Sequence, residues 1–165
     1  MEIERKFLVK HLPEGLEDYP SCHLRQGYLN VDPVVRVRQE GDEYTLTYKS
    51  SGMLAREEYN LPLTQEAFEH MIDKCDGIVI AKRRYRIPFR YKMIELDVFE
   101  REFEGLLLAE IEFDSIKEAE EMELPAWFGT EVTYDPQYHN NALSAMTPEE
   151  AAALAAKGDP DDGEE

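Results

Sequence analysis

Glu2-Ile3-Glu4-Arg5-Lys6-Phe7-Leu8-Val9 decides how this chain is read. Ile3, Phe7 and Val9 alternate with Glu2, Glu4 and Lys6, the two-residue period of a β-strand with one apolar and one charged face. The same alternation returns along the chain. Val35 and Val37 alternate with Arg36 and Arg38; Tyr44, Leu46 and Tyr48 with Thr45, Thr47 and Lys49. Further on, Ile94, Leu96 and Val98 alternate with Glu95 and Asp97, and Ala109, Ile111 and Phe113 with Glu110 and Glu112. Turn-forming residues separate the runs: Asp32-Pro33, Glu40-Gly41-Asp42 and Glu104-Gly105.

Three short helices interrupt the strands. Thr64 caps a helix expected to reach Cys75, with Phe68, Met71, Ile72 and Cys75 on its apolar side. Ser115 and Glu118 have the spacing of a capping box that opens a helix to about Met122. Thr147-Pro148-Glu149-Glu150 supplies a cap, a proline at the first helical position and the box glutamate. The alanine-rich helix that follows stops at Lys157-Gly158, and serves either as a lid or as packing. Residues 1–157 are read as a single domain, and 158–165, with acids and no bases, as a disordered tail.

At 165 residues the chain fits one domain with a real core. Its 18 Lys and Arg face 36 Asp and Glu, a formal charge of −18. Such a chain offers nucleic acid no broad basic surface, and acidic membranes are disfavoured for the same reason. Cys22 and Cys75 lack metal-type spacing and are read as free thiols. The start is charged from Glu2 onward, unlike a signal peptide, and no apolar run approaches the ~20 residues of a membrane span. A cytoplasmic protein, monomer or homodimer, is expected. His11, His23, His70 and His139 are scattered without ligand spacing, Trp127-Phe128 reads as core, and there is no Gly-rich phosphate loop.

The charged faces are sorted by sign. Glu2-x-Glu4, Glu95-x-Asp97 and Glu110-x-Glu112 stand against Arg36-x-Arg38 and Lys82-x-Arg84-x-Arg86. Residues two apart share a strand face, roughly 6.5–7 Å apart, so like charges there repel. Such sorting makes sense around ligands of opposite charge. Carboxylates suit hard cations such as Mg²⁺ or Mn²⁺, and Lys and Arg suit phosphate oxygens. About eight antiparallel strands of this kind leave unpaired edges unless the sheet closes. The expected fold is therefore mainly β: a closed eight-stranded antiparallel barrel with a few peripheral helices, its apolar alternates outward and its charges lining a tunnel.

The opening Glu2-x-Glu4-x-Lys6 resembles the signature of the CYTH superfamily, the triphosphate tunnel metalloenzymes. The likeness runs to about Leu143 and includes Gln26-Gly27-Tyr28-Leu29, Thr47-Tyr48-Lys49, Arg56-Glu57-Glu58, Lys82-Arg83-Arg84-Tyr85-Arg86-Ile87 and Tyr138-His139-Asn140-Asn141. The resemblance implies metal ligation by Glu2, Glu4, Asp97, Glu110 and Glu112. Glu58 is a candidate for a second ion, with Glu57 replacing it after a one-residue slip. It also implies phosphate binding by Lys6, Arg36, Arg38, Lys49, Arg56, Lys82 and Arg84. Arg86 and Glu95 are read as structural residues further along the tunnel. Lys82 is either a general base oriented by Tyr28 or a phosphate ligand alone. The leading expectation is metal-dependent hydrolysis of tripolyphosphate to pyrophosphate and phosphate. The alternatives are an adenylyl cyclase of class IV type, a thiamine triphosphatase, and a polyphosphate-binding module without turnover.

Overall fold

The computed structural model describes residues 3–52 and 55–158. Glu2 and the acidic tail beyond Gly158 lie outside the described residues. The strands are β1 (Ile3–Val9), β2 (Ser21–Asn30), β3 (Val34–Glu40), β4 (Glu43–Lys49), β5 (Glu58–Pro62), β6 (Asp76–Phe89), β7 (Lys92–Phe99), β8 (Leu107–Phe113) and β9 (Phe128–Glu131). Helices α1 (Gln65–Ile72), α2 (Ile116–Glu121), α3 (Asn140–Ser144) and α4 (Pro148–Lys157) pack around them.

One antiparallel sheet holds all nine strands in the order β5-β4-β3-β2-β6-β7-β8-β1-β9. The expected closed barrel of eight strands is corrected here. Among the described residues β5 and β9 each pair on one side only, and no ladder joins them. Both edges are short, and β5 ends on Pro62, which has no N–H to offer a further strand. The sheet is nonetheless strongly curled. Asn60 of β5 and Glu95 of β7 line one cavity of about 460 Å³, although five strand steps would set them roughly 24 Å apart in a flat sheet.

Register assigns the alternates to faces. On the convex side, Phe7, Ile87, Ile94, Leu96, Ile111 and Phe113 form one core, closed by α2 and β9. Val37 with Phe68 and Ile72 forms another beneath α1. The third core breaks the simple inside-out pattern. Leu8, Leu108, Phe99 and Ile80 belong to the same face as Lys6, Asp97 and Lys82, but at one end of it. There they pack against Leu143 of α3 and Ala151, Leu154 and Ala155 of α4. The closing helix is thus built into the core, and one end of the concave face is floored with apolar side chains.

Local signals account for the helix starts. Thr64 accepts from the Ala67 N–H, and Thr147 and Glu150 complete a reciprocal box at α4. The box expected at α2 is half formed. Ser115 accepts from the Glu118 N–H, but the Glu118 carboxylate accepts from the Asp114 N–H (2.8 Å) and binds Lys92 (2.7 Å). Helix α1 ends at Ile72, short of Cys75, and α3 was not anticipated because no side chain caps it. Gly77 opens β6 at φ +69°, where a Cβ would run into the Ser144 carbonyl. No helix of the described residues is long and apolar enough to cross a membrane.

Candidate functional site

The concave face carries two charged banks and a mixed spine between them. The acidic bank is on β1 and β8, where Glu4 faces Glu112 and Lys6 faces Glu110 in register. A cavity of about 370 Å³ opens between Glu4, Glu110, Glu112, Glu95 and Arg86. The basic bank is on β3, with Arg36 and Arg38 beside Thr47 and Thr45 of β4. Glu95 lines both cavities and stands between the banks.

Strand β6 builds the spine. Lys82 and Arg84 project from one face of it toward Asp97 on β7. Lys82 Nζ lies 2.7 Å from Asp97 Oδ2, and Arg84 donates through Nε (2.8 Å) and Nη2 (2.9 Å) to the two Asp97 oxygens. All three residues are buried. Burial pushes the Asp97 carboxyl up, but Lys82 and Arg84 outweigh it and hold the group at about 2. Burial also drives the Lys82 ammonium below its ordinary range, Arg84 adding to that effect while Asp97 opposes it. Burial works against the charged Arg84 guanidinium as well, yet its bonds to Asp97 keep it raised.

These contacts revise two expectations. Asp97 was expected as a metal ligand, but both of its oxygens are taken up by Lys82 and Arg84. Tyr28 was expected to orient Lys82, and Asp97 holds it instead. Tyr28 is cross-strand from Arg36, whereas Lys82 is cross-strand from Leu24, four residues along β2. The Tyr28 hydroxyl accepts from Gln26 Nε2 at 3.5 Å, and burial raises its pKa against the pull of Arg36.

Arg36 and Arg38 are the bases with unused capacity. Arg36 Nη2 donates to Thr47 Oγ1 (3.2 Å) and Arg38 Nη2 to Glu40 Oε1 (2.6 Å), but the Nε of each is buried without an acceptor. Burial, then the charge of Arg38, lowers the Arg36 pKa. Two neighbouring guanidiniums in that condition fit an anion with several oxygens.

The remaining expectations divide. Lys6 joins the concave face, 3.3 Å from Glu110 Oε1 and 3.3 Å from the Tyr138 carbonyl. Lys49 and Glu58 share that face 3.8 Å apart, so register favours Glu58 over Glu57. Arg56 does not join. It sits exposed between β4 and β5, with Nε donating to the Gly52 carbonyl at 2.7 Å. Gln26, Thr47, Asn60 and Glu40 were missed. Thr47 Oγ1 donates to Asn60 Oδ1 (2.6 Å) and Asn60 Nδ2 to Glu58 Oε2 (3.1 Å), a chain from Arg36 to Lys49. Only same-face spacing could have signalled Gln26, Thr47 and Asn60, neutral side chains that carry no sign to sort, while Glu40 is a lone acid two residues beyond Arg38 rather than part of a like-charged pair.

For a divalent cation, the donor chemistry fits at β1 and β8. Opposed Glu4 and Glu112 are oxygen donors whose mutual repulsion a hard cation would relieve. Among the described residues no three acidic, histidine or cysteine side chains form a preassembled cage; Glu2, two residues before Glu4, is not among them.

A curled antiparallel sheet whose hollow face sets carboxylates against guanidiniums defines a binder of polyanions. The chain belongs to the CYTH domain family, which matches residues 1–139. It is 41% identical over 152 residues to the inorganic triphosphatase of Nitrosomonas europaea, covering 89% of this chain and 99% of that one. It is 40% identical over 152 residues to the inorganic triphosphatase of Acetivibrio thermocellus, covering 86% and 92%. A crystal structure of an inorganic triphosphatase superposes with a TM-score of 0.78 at 39% identity, over 90% of this chain and 97% of that one.

Proposed function

We propose that this protein hydrolyses inorganic triphosphate to pyrophosphate and phosphate, with Mg²⁺ or Mn²⁺ as cofactor. The observation that carries this reading is the Arg36–Arg38 pair, each with a buried Nε that lacks an acceptor, lining one cavity together with Arg84. The described residues lining that cavity include no aromatic or aliphatic side chain. A nucleobase or a thiazolium ring would find no stacking platform there, whereas an anion with no organic part needs none. The similarity to two inorganic triphosphatases supports the same substrate.

Phosphoryl transfer calls for positioning and charge neutralisation more than covalent chemistry. Arg36, Arg38 and Lys49 hold phosphate oxygens from one side of the hollow, Lys6, Lys82 and Arg84 from the other. A water oxygen bonds to the terminal phosphorus as the bridging P–O bond breaks, and the electron pair leaves with pyrophosphate. Lys82, whose ammonium burial makes easier to deprotonate, is the acceptor proposed for the water proton once it has lost its own, with Asp97 fixing where its Nζ points. Glu4 and Glu112, with Glu2 and Glu110, would hold the cation, which supplies neutralisation of phosphate charge when bound.

The deciding assay incubates purified protein and Mg²⁺ or Mn²⁺ with tripolyphosphate, ATP or thiamine triphosphate. Pyrophosphate and phosphate from tripolyphosphate are expected. Cyclic AMP from ATP, or preferential cleavage of thiamine triphosphate, would replace the reading, and no product from any of the three would leave a binding module. Lys82→Arg isolates the base: turnover retained with an unchanged pH–rate profile would remove that role.

A further inference from the structure

The basic bank already contains an anion of its own. Glu40 ends β3, two residues from Arg38 and on the same face, and its Oε1 accepts from Arg38 Nη2 at 2.6 Å. It does not hold the hairpin together. That turn is tied by the Gly41 N–H to the His23 carbonyl (2.9 Å) and by Gln39 Nε2 to the Gly41 carbonyl (3.1 Å). Directly opposite Glu40 is Glu43, a second carboxylate lining the cavity, with no ion pair among the described residues. Like charges across a strand pair are unfavourable, so the hairpin retains Glu40 against a local penalty.

Two carboxylates in one site therefore play different parts. Asp97 is 2% exposed and held by two bases at once. The Glu40 side chain is 42% exposed and that of Arg38 27%, and a single bond joins them. An ion pair that open to solvent contributes about 1 kcal/mol or less, little enough for a phosphoryl oxygen to displace it.

Resting on the function proposed above, we propose that Glu40 is a built-in competitor for Arg38. It occupies the guanidinium in the empty site, yields it to a phosphoryl oxygen, and reclaims it as the product leaves. Glu40 is a positioning residue that sets affinity, so a hollow lined by six bases does not retain its own pyrophosphate.

Titration calorimetry of tripolyphosphate and of pyrophosphate, on the unaltered chain, Glu40→Gln and Glu43→Gln, tests this. Removing the competing charge should tighten both anions about three- to fivefold in Glu40→Gln. Glu43→Gln loses the same formal charge but frees no base, so its gain should be at most about twofold. In turnover, Glu40→Gln should lower KM for tripolyphosphate and strengthen inhibition by pyrophosphate. Unchanged or weaker binding in Glu40→Gln, or equal gains in the two variants, would overturn the inference. An unaltered chain that binds tripolyphosphate without cleaving it would instead overturn the proposed hydrolysis, leaving the calorimetric comparison to judge Glu40.

Discussion

Lys82 and Asp97 meet across β6 and β7 at 2.7 Å, one 3% and the other 2% exposed, with Arg84 gripping the same carboxylate. The charge excess on this spine is one cation. Removing the acid alone leaves two buried bases uncompensated, which is destabilising by about 3–5 kcal/mol. Asp97→Asn should therefore lower the urea midpoint sharply at unchanged slope, and Asp97→Asn with Lys82→Met should recover part of the loss. Equal stability of the single and double variants would show that the triad is not coupled.

The same carboxyl predicts a pH dependence. Its folded value, about 2, lies below the ordinary 3.8, so its stabilisation is present above about pH 4 and fades as pH falls toward 2. The difference corresponds to about 2 kcal/mol. Acid unfolding followed by circular dichroism should show this loss in the unaltered protein, and Asp97→Asn should flatten the curve over that window.

Arg36 illustrates a trade between binding and stability. It has no ion pair among the described residues, Arg38 sits beside it, and one buried nitrogen is unsatisfied. Arg36→Met should raise stability by about 0.5–1 kcal/mol. Tripolyphosphate affinity should fall about ten- to hundredfold, as expected for hydrogen bonds to a charged partner. Calorimetry and thermal melts on the same sample separate the two effects.

The acidic bank makes a prediction about the cation. Because Glu4 and Glu112 are opposed, Glu112→Gln should raise the melting temperature without metal by about 1–2 °C. It should also shrink the additional shift that Mg²⁺ and tripolyphosphate together produce beyond either alone. A full shift in the variant would place the cation elsewhere.

Gly77 tests the fold apart from the site. Its left-handed φ and the nearby Ser144 carbonyl both oppose a side chain. Gly77→Ala should destabilise by about 1–3 kcal/mol, with tripolyphosphate affinity per folded molecule unchanged.

Much of this was legible in the chain because it is local. Alternation placed β1, β3, β4, β7 and β8, and the spacing Thr147 to Glu150 announced α4 with its full capping box. Ser115 and Glu118 had an equally good spacing, yet Lys92 and the Asp114 N–H claimed the glutamate, since a side chain takes the strongest partner within reach. Sheet closure was misjudged for a related reason. Edge pairing depends on which strands finally meet, and β5 ends on Pro62.

By itself the sequence determined that Glu4, Lys6, Arg36, Arg38, Lys82, Arg84, Asp97, Glu110 and Glu112 share the charged face of their strands, because a two-residue period is a property of the backbone alone. Tertiary structure alone decided which of them neutralise one another. It gave Asp97 to Lys82 and Arg84, left Arg36 open, sent Arg56 to the surface and floored the hollow with α4. Charge sign can be read one residue at a time; distance between charges is set by register and by the curl of the whole sheet.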